Sequence, residues 1–314
     1  IHKLSQTGGC DIGTRPIDLH LKAFEKLGIN IDKNYGKIAC SCDKINGEKI
    51  DFEFPSVGAT ENAILASCLG EGTTIITNAA REPEIIDLQN FLNKMGAKIR
   101  GAGSNKIEII GVKQLKDVSY NIMPDRIEAG TFLCMAAMTN GNLILENINS
   151  THIVPIVNKL EECGCQIDIT SNQLEIKAPK RLRATDIKTM PYPGFPTDMQ
   201  SIFATALTIA KGTSVIVENI FENRYKYTQE LIRMGAKITI EGRTAIIKGV
   251  RRLYNANVKA TDLRGGAALV MAALSTKGES KVENIEYILR GYDNFENKIQ
   301  NINGNIIRHI DYNS

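Results

Sequence analysis

Leu231-Ile232-Arg233-Met234-Gly235-Ala236-Lys237-Ile238-Thr239-Ile240 reads as a helix end, a glycine stop and a strand. Glycine just past a helix is the residue best suited to the left-handed turn that ends it. The same pattern recurs at Gly28, Gly96, Gly164 and Gly304, so the spacings along the chain are 68, 68, 71 and 69. Strand-like runs follow four of the five, at Ile29-Asn30-Ile31, Ala97-Lys98-Ile99, Cys165–Ile169 and Ala236–Ile240. Upstream of the last four, glycine, alternating apolar residues and asparagine recur as Gly72…Asn78, Gly141…Asn147, Gly212…Asn219 and Gly278…Asn284. Alternation such as Leu143-Ile144-Leu145-Glu146 fits a half-buried strand.

Before each of those strands the composition predicts a helix rich in small residues, over 56–69, 125–138, 197–209 and 262–274. Each opens on polar residues: Ser56, Asp125-Arg126, Thr197-Asp198 and Asp262 with Arg264. The unit is therefore strand, small-residue helix, strand, polar loop, amphipathic helix and closing strands. Repetition fixes architecture before any motif is read. Units this long, mixing strands with helices, make layered α/β domains rather than a solenoid. Five helix stops imply five units, the first incomplete, and Ile1 falls inside a unit. The chain thus reads as one that has lost its natural N-terminus. The expected division is 1–123 for the remainder of a first domain and 124–314 for a second domain of three units.

The bulk numbers exclude several classes. With 314 residues, 43% hydrophobic and 23% charged, the chain is long enough for two cored domains and ordinary for a soluble protein. A net charge of +3 without dense Lys/Arg runs, and no tryptophan, argue against nucleic acid. No apolar run is long enough to span a bilayer. Seven cysteines without zinc-type spacing point to a reducing compartment, hence the cytoplasm. Six of them (40, 42, 68, 134, 163 and 165) read as core thiols, with Cys40/Cys42 and Cys163/Cys165 on shared strand faces.

The seventh, Cys10, stands apart in Gly8-Gly9-Cys10-Asp11-Ile12-Gly13-Thr14-Arg15-Pro16. Almost nothing regular is expected before it, and an amphipathic helix over 18–28 after it. A thiol on a glycine-rich loop, five residues before an arginine, is a candidate reactive group beside an anion site. A lone cysteine is more often a small buried hydrophobe than a nucleophile or acid. Helix starts that recur in every unit gather free N–H groups suited to phosphates and carboxylates. Beside them stand Arg15, Arg81, Arg126, Arg224, Arg264 and Arg290, a set fit for a multiply anionic ligand. Asp125 with Glu128 also makes a good helix cap, and Asp262 a cap with a surface pair at Arg264. No Walker loop, dinucleotide fingerprint, zinc motif or hydrolase triad is present.

With these residues assembled, the chain resembles the UDP-N-acetylglucosamine 1-carboxyvinyltransferase family of enolpyruvyl transferases. The likeness runs through Gly8–His20, Ser56–Thr60, Asn78–Glu84, Pro124–Glu128, Phe195–Gln200, Phe221–Arg224, Thr261–Arg264 and Arg290–Tyr292. The resemblance implies two inside-out α/β barrel-like domains of repeated βαβαββ units closing on a substrate cleft, the first domain incomplete here. It implies transfer of the enolpyruvyl group of phosphoenolpyruvate to the 3-hydroxyl of UDP-N-acetylglucosamine, with no cofactor or metal. By the same likeness Cys10 is the proton donor and the residue that fosfomycin alkylates, and Asp198 is the general base. Arg15, Arg264 and Arg290 hold phosphoenolpyruvate or position the closing loop. Arg15, Pro16, Ile17, Asp18 and Leu19, then Phe54, Pro55, Ser56 and Val57, and finally Asp198 and Ile220, line the UDP-sugar site.

The family's N-terminal Lys-Asn pair lies before Ile1. That leaves a non-catalytic UDP-sugar-binding fragment as an alternative, and 3-phosphoshikimate 1-carboxyvinyltransferase, which lacks the Gly-Gly-Cys loop, as a more distant one. Asp11 replaces a small neutral residue and should keep the Cys10 thiol protonated. Asp11→Ala is then expected to speed alkylation of Cys10.

Overall fold

The computed structural model describes residues 2–5, 17–34, 37–170 and 172–309. By their contacts, the described residues up to Met123, with Pro191–Pro193, form one compact unit; Pro124–Met190 and the residues from Gly194 onward form another.

The first unit opens on β1 (His2–Ser5), a strand where the sequence leads one to expect nothing regular. It is followed by α1 (Asp18–Lys26), β2 (Asn30–Asn34) and β3 (Lys37–Ser41), and β3 pairs antiparallel with both other strands. Pairing explains the difference: four residues too polar to announce a strand are held by the β3 edge. Next come β4 (Lys49–Asp51), α2 (Val57–Ser67), β5 (Thr73–Thr77), α3 (Pro83–Lys94), β6 (Lys98–Arg100) and β7 (Lys106–Ile110). Their sheet has the order β4-β5-β7-β6, with β4 and β5 parallel and the rest antiparallel.

The second unit begins with α4 (Arg126–Met138), β8 (Asn142–Glu146), α5 (Val154–Glu162), β9 (Gln166–Ile169) and β10 (Gln173–Lys177). It continues with β11 (Ile187–Lys188), α6 (Gln200–Leu207), β12 (Thr213–Val217), α7 (Thr228–Arg233), β13 (Lys237–Glu241) and β14 (Thr244–Lys248). It closes with β15 (Asn257–Lys259), α8 (Leu263–Leu274), β16 (Lys281–Glu283), α9 (Glu286–Leu289) and α10 (Phe295–Asn301). The middle sheet, β11-β12-β14-β13, repeats the β4-β5-β7-β6 topology strand for strand, so the βαβαββ unit is real. The repeat extends to atoms. The Gly111 amide donates to Gly72 and the Gly249 amide to Gly212, both at 3.0 Å. A Cβ on Gly111 or Gly249 would fall 1.7 or 1.8 Å from a carbonyl oxygen, so only glycine fits.

The predicted small-residue helices are α2, α4, α6 and α8. In the second unit α4, α6 and α8 pack on one another, and every residue of α6 is buried. Small side chains permit this close approach. A Cβ on Gly130 of α4 would lie 2.8 Å from Met199 Sδ and 2.9 Å from Ile156 Cδ1. Helices at the centre with sheets outside them is the inside-out arrangement.

Punctuation follows the reading with two corrections. Gly28, Gly96, Gly164 and Gly235 have φ of 85°, 104°, 97° and 92°, the left-handed turn that ends a helix. In the last unit that position belongs to Asn303 (φ 65°) and not to Gly304; asparagine tolerates the left-handed region better than other side chains. Asn78, Asn147 and Asn284 leave their strands left-handed, at φ 52°, 55° and 60°. Asn219 does not, because one extra residue, the buried Glu218, precedes it. The cysteine reading also needs correction. Cys68, Cys134, Cys163 and Cys165 are buried, but Cys40 is half-buried and Cys42 exposed past the end of β3. Cys163 caps α5 and Cys165 precedes β9, with the left-handed Gly164 between them, so they share no strand face. Burial pushes the Cys163 thiol up to about 12 and those of Cys68 and Cys165 to about 11, so they stay protonated and inert.

Candidate active site

Polar side chains converge in the second unit at the start of α6. Pro196 is extended, and Thr197–Met199 make one tight turn before the helix begins. Asp198 on that turn stays 40% exposed, while α6 itself is sealed in the core. Two guanidiniums reach its carboxylate. Arg224 Nη2 is 2.7 Å from Oδ1 and Arg264 Nη2 is 3.3 Å from Oδ2. Partial burial pushes the Asp198 carboxyl up, but Arg224 and Arg264 outweigh it and hold the group below the ordinary value. It is a carboxylate at neutral pH, fixed from both sides.

Each arginine is held by its own surroundings. Arg224 is only 3% exposed, and its guanidinium stacks over the Phe221 ring at 5.4 Å. Arg264 lies in the first turn of α8, whose cap is Asp262: Oδ1 accepts from the Arg264 and Gly265 amides at 3.1 and 2.9 Å. Asp262 is therefore a cap, as one reading of the sequence had it. The Arg264 partner is Asp198, however, and Arg264 itself is only 11% exposed. The Arg264 guanidinium also covers the Tyr292 ring at 5.2 Å, and the Tyr292 hydroxyl is 2.8 Å from Thr131 Oγ1. Buried nitrogens Arg224 Nε and Arg264 Nε and Nη1 have no hydrogen-bond partner among the described residues. Such donors cost free energy unless an acceptor meets them. An anion is the kind of acceptor that suits two guanidiniums at once.

Tyr292 also borders a hollow of about 490 Å³ lined by Arg290, Asp125, Glu128, Asp293 and Arg308. Arg290 is exposed on this wall, so the structure places it beside the Asp198 cluster rather than in it. Asp125 caps α4 through the Ile127 and Glu128 amides at 2.7 and 3.0 Å, while Glu128 pairs with Lys298 at 2.6 Å instead of reaching back.

Ile220, half-buried in the second unit, follows β12 and its amide donates to Glu218 Oε1 at 2.8 Å, while most of the other candidates belong to the first unit. Ile17 precedes α1, and Asp18 and Leu19 form its first turn, exposed and half-buried respectively. Phe54 is exposed, Pro55 half-buried, and Ser56 caps α2 by accepting from the Ala59 amide at 3.4 Å, with Val57 the first helical residue. The Lys22–Glu53 pair at 2.8 Å ties α1 to the Phe54–Val57 segment, so these two candidate stretches are neighbours. His20 packs on α2: its Cε1 would be 3.0 Å from a Cβ on Gly58, and Asn62 Nδ2 donates to Nδ1 at 2.7 Å. Burial lowers the His20 pKa. Cys10, Asp11, Arg15 and Pro16 lie outside the described residues. Arg81 is exposed and Arg126 is the first residue of α4.

The sequence reading missed two features here. Arg224 counted as one loop arginine among six within the recurring Phe221–Arg224 stretch, with no partner assigned, and Glu218 only as the polar end of the alternating run Val215-Ile216-Val217-Glu218. Glu218 is fully buried beside the Asp198 turn, and its only sequence signal is the seven-residue step from Gly212 to Asn219 where other units take six. Among the described residues no three His, Cys, Asp or Glu side chains gather as a metal site, and no helix is long and apolar enough to cross a membrane.

Residues 2–299 match the family described as EPSP synthase (3-phosphoshikimate 1-carboxyvinyltransferase). The chain is 52% identical over 306 residues to UDP-N-acetylglucosamine 1-carboxyvinyltransferase 2 of Caldanaerobacter subterraneus subsp. tengcongensis, covering 97% of this chain and 73% of that protein. It is 48% identical over 306 residues to UDP-N-acetylglucosamine 1-carboxyvinyltransferase of Geobacter metallireducens, covering 98% and 73%. Among solved structures, the enolpyruvyl transferase NikO from Streptomyces tendae superposes with a TM-score of 0.86 at 22% identity, covering 97% of this chain and 73% of that one. EPSP synthase from Acinetobacter baumannii gives 0.69 at 19%, covering 95% and 73%. At those identities the two structures speak for the fold alone.

Proposed function

The chain belongs to the UDP-N-acetylglucosamine 1-carboxyvinyltransferase family, within the wider EPSP synthase group, and from that membership we propose that it transfers the enolpyruvyl group of phosphoenolpyruvate to the 3-hydroxyl of UDP-N-acetylglucosamine, releasing phosphate. The observation that supports this reading best is the Asp198 carboxylate clasped by Arg224 and Arg264.

In the proposed reaction Asp198 takes the proton of the sugar 3-hydroxyl as that oxygen attacks C2 of phosphoenolpyruvate, while Cys10 delivers a proton to C3. The tetrahedral intermediate then loses a proton from C3, and the C–O bond to phosphate breaks as the double bond reforms. Acid and base act on opposite ends of one double bond, so each must be held in place and in the right protonation state. A fixed carboxylate meets that demand for the base. Buried guanidinium N–H groups without an acceptor among the described residues suit the phosphate and carboxylate of phosphoenolpyruvate, whose charge needs preorganised donors. Arg264 takes this role directly and Arg290 from the adjoining hollow, with Arg15 as the third cation. Ile17–Leu19, Phe54–Val57 and Ile220 take the UDP-sugar. The reaction opens peptidoglycan synthesis and serves cell-wall growth and division in the cytoplasm, and the Cys10 thiol is the group that fosfomycin alkylates.

Phosphate release from phosphoenolpyruvate decides the matter, measured with UDP-N-acetylglucosamine and separately with shikimate 3-phosphate. Release that requires the UDP-sugar is the expected result. Release with shikimate 3-phosphate alone would move the chain to the sister reaction, and none with either acceptor would make it a binding protein.

A further inference from the structure

The exit from β12 differs from those of β5, β8 and β16. β5, β8 and β16 end on a left-handed asparagine, Asn78, Asn147 or Asn284. After β12 there is an added residue, Glu218, which is fully buried. Its Oε1 accepts from the Thr189 hydroxyl at 2.9 Å and from the Ile220 and Phe221 amides at 2.8 and 3.1 Å. Its Oε2 accepts from the Thr197 hydroxyl at 2.9 Å. Thr189 in turn accepts from the Asn219 amide at 2.9 Å, and its carbonyl takes the Asn219 side-chain N–H at 3.0 Å. All four donors to the carboxylate are neutral.

Burying a carboxylate is costly and is offset only when its lone pairs are well satisfied. The other units leave the same strand without one, so the turn itself does not require it. What the carboxylate adds is a link between two segments that meet at one atom group. Thr197 precedes Asp198, and the turn begun by Ile220 and Phe221 carries Arg224 back to Asp198. The links close a ring running from Glu218 through Thr197 and Asp198 to Arg224 and back along 221–223.

We propose that Glu218 is a positioning residue, which through Thr197 and the Ile220–Phe221 amides fixes the Asp198 carboxylate against Arg224 and sets Ile220 in the same frame. The proposal rests on the function given above to Asp198 and Ile220. Catalytic groups lose up to about a hundredfold in rate when displaced by an ångström, so a rigid ring here acts on turnover rather than on folding alone.

Thr197→Val removes one link while leaving the carboxylate its three other donors. Thr197→Ser keeps the hydroxyl, and Glu218→Gln keeps an acceptor for the amides and can donate to Thr197. With aspartate labelled at the carboxyl carbon, NMR should show the Asp198 titration moved upward in Thr197→Val, because the Arg224 clasp loosens, and restored in Thr197→Ser. In the same proteins kcat should fall about tenfold in Thr197→Val with KM for the UDP-sugar little changed, and recover in Thr197→Ser, Glu218→Gln lying between them. An Asp198 titration unmoved in Thr197→Val, or not restored by Thr197→Ser, overturns the proposal. So does a Thr197→Val kcat within about twofold of the wild type. A wild-type protein that releases no phosphate refutes the function instead, and the titration still decides the positioning.

Discussion

Replacing Arg224 by methionine removes the nearer cation from Asp198 and keeps the bulk of the side chain. Two unit charges about 4 Å apart at an effective dielectric of about 20 attract by about 4 kcal/mol, whereas exposed pairs measure about 0.2–1 kcal/mol. Asp198 is 40% exposed and keeps Arg264 at 3.3 Å, which draws the figure toward the lower bound. About 1–2 kcal/mol of lost orientation corresponds to roughly 5- to 30-fold in kcat. The sign with pH follows from the clasp. A carboxyl held below 3.8 stabilises the fold above that pH and gives the stabilisation up as pH falls through its folded value. Without Arg224 the folded value rises, so the acid limb of kcat against pH moves to higher pH and the acid loss of stability shrinks. Arg224→Lys, which keeps the charge, should fall between. Rates of phosphate release across the pH range, with thermal melts alongside, test this. An acid limb that stays put in Arg224→Met, or a lysine variant indistinguishable from methionine, would refute the reasoning.

Two further outcomes follow from features outside the clasp. Asp125→Ala removes the one carboxylate oxygen that accepts from two amides at the start of α4 and should cost about 1 kcal/mol, about 2–4 °C in Tm; an unchanged melt would mean that water caps that helix as well. His20, half-buried against α2, should titrate below 6.5 by NMR. Its neutral form stabilises the fold above that value and the contribution is lost as pH falls through the folded value, so a midpoint at or above 6.5 would contradict the packing described.

The repeat was readable because its punctuation is chemical. Left-handed helix ends demand glycine, so Gly28, Gly96, Gly164 and Gly235 mark the period, and the reading slipped only where Asn303 fills that place. Strands shorter than five residues, such as β1 and β11, carry too little alternation to announce themselves and exist because a neighbour pairs with them. The candidate site was less readable. Asp198 and Arg264 were named through resemblance, but 26 residues separate Asp198 from Arg224, and no local pattern predicts that contact. Glu218 looked like the last polar residue of an alternating strand. Its burial comes from Thr189 and Thr197, which the sequence places 29 and 21 residues away.

The packing of α4, α6 and α8 on one another has a consequence for how the second unit comes apart. Each repeat lends one helix to a common axis, so withdrawing any one exposes the apolar flanks of the other two. Three copies in the sequence thus behave as a single cooperative block: hydrogen exchange in the three helices must proceed by the same opening, and a cut inside any one repeat endangers all of them. Duplication multiplied the parts of this unit without making any part independent.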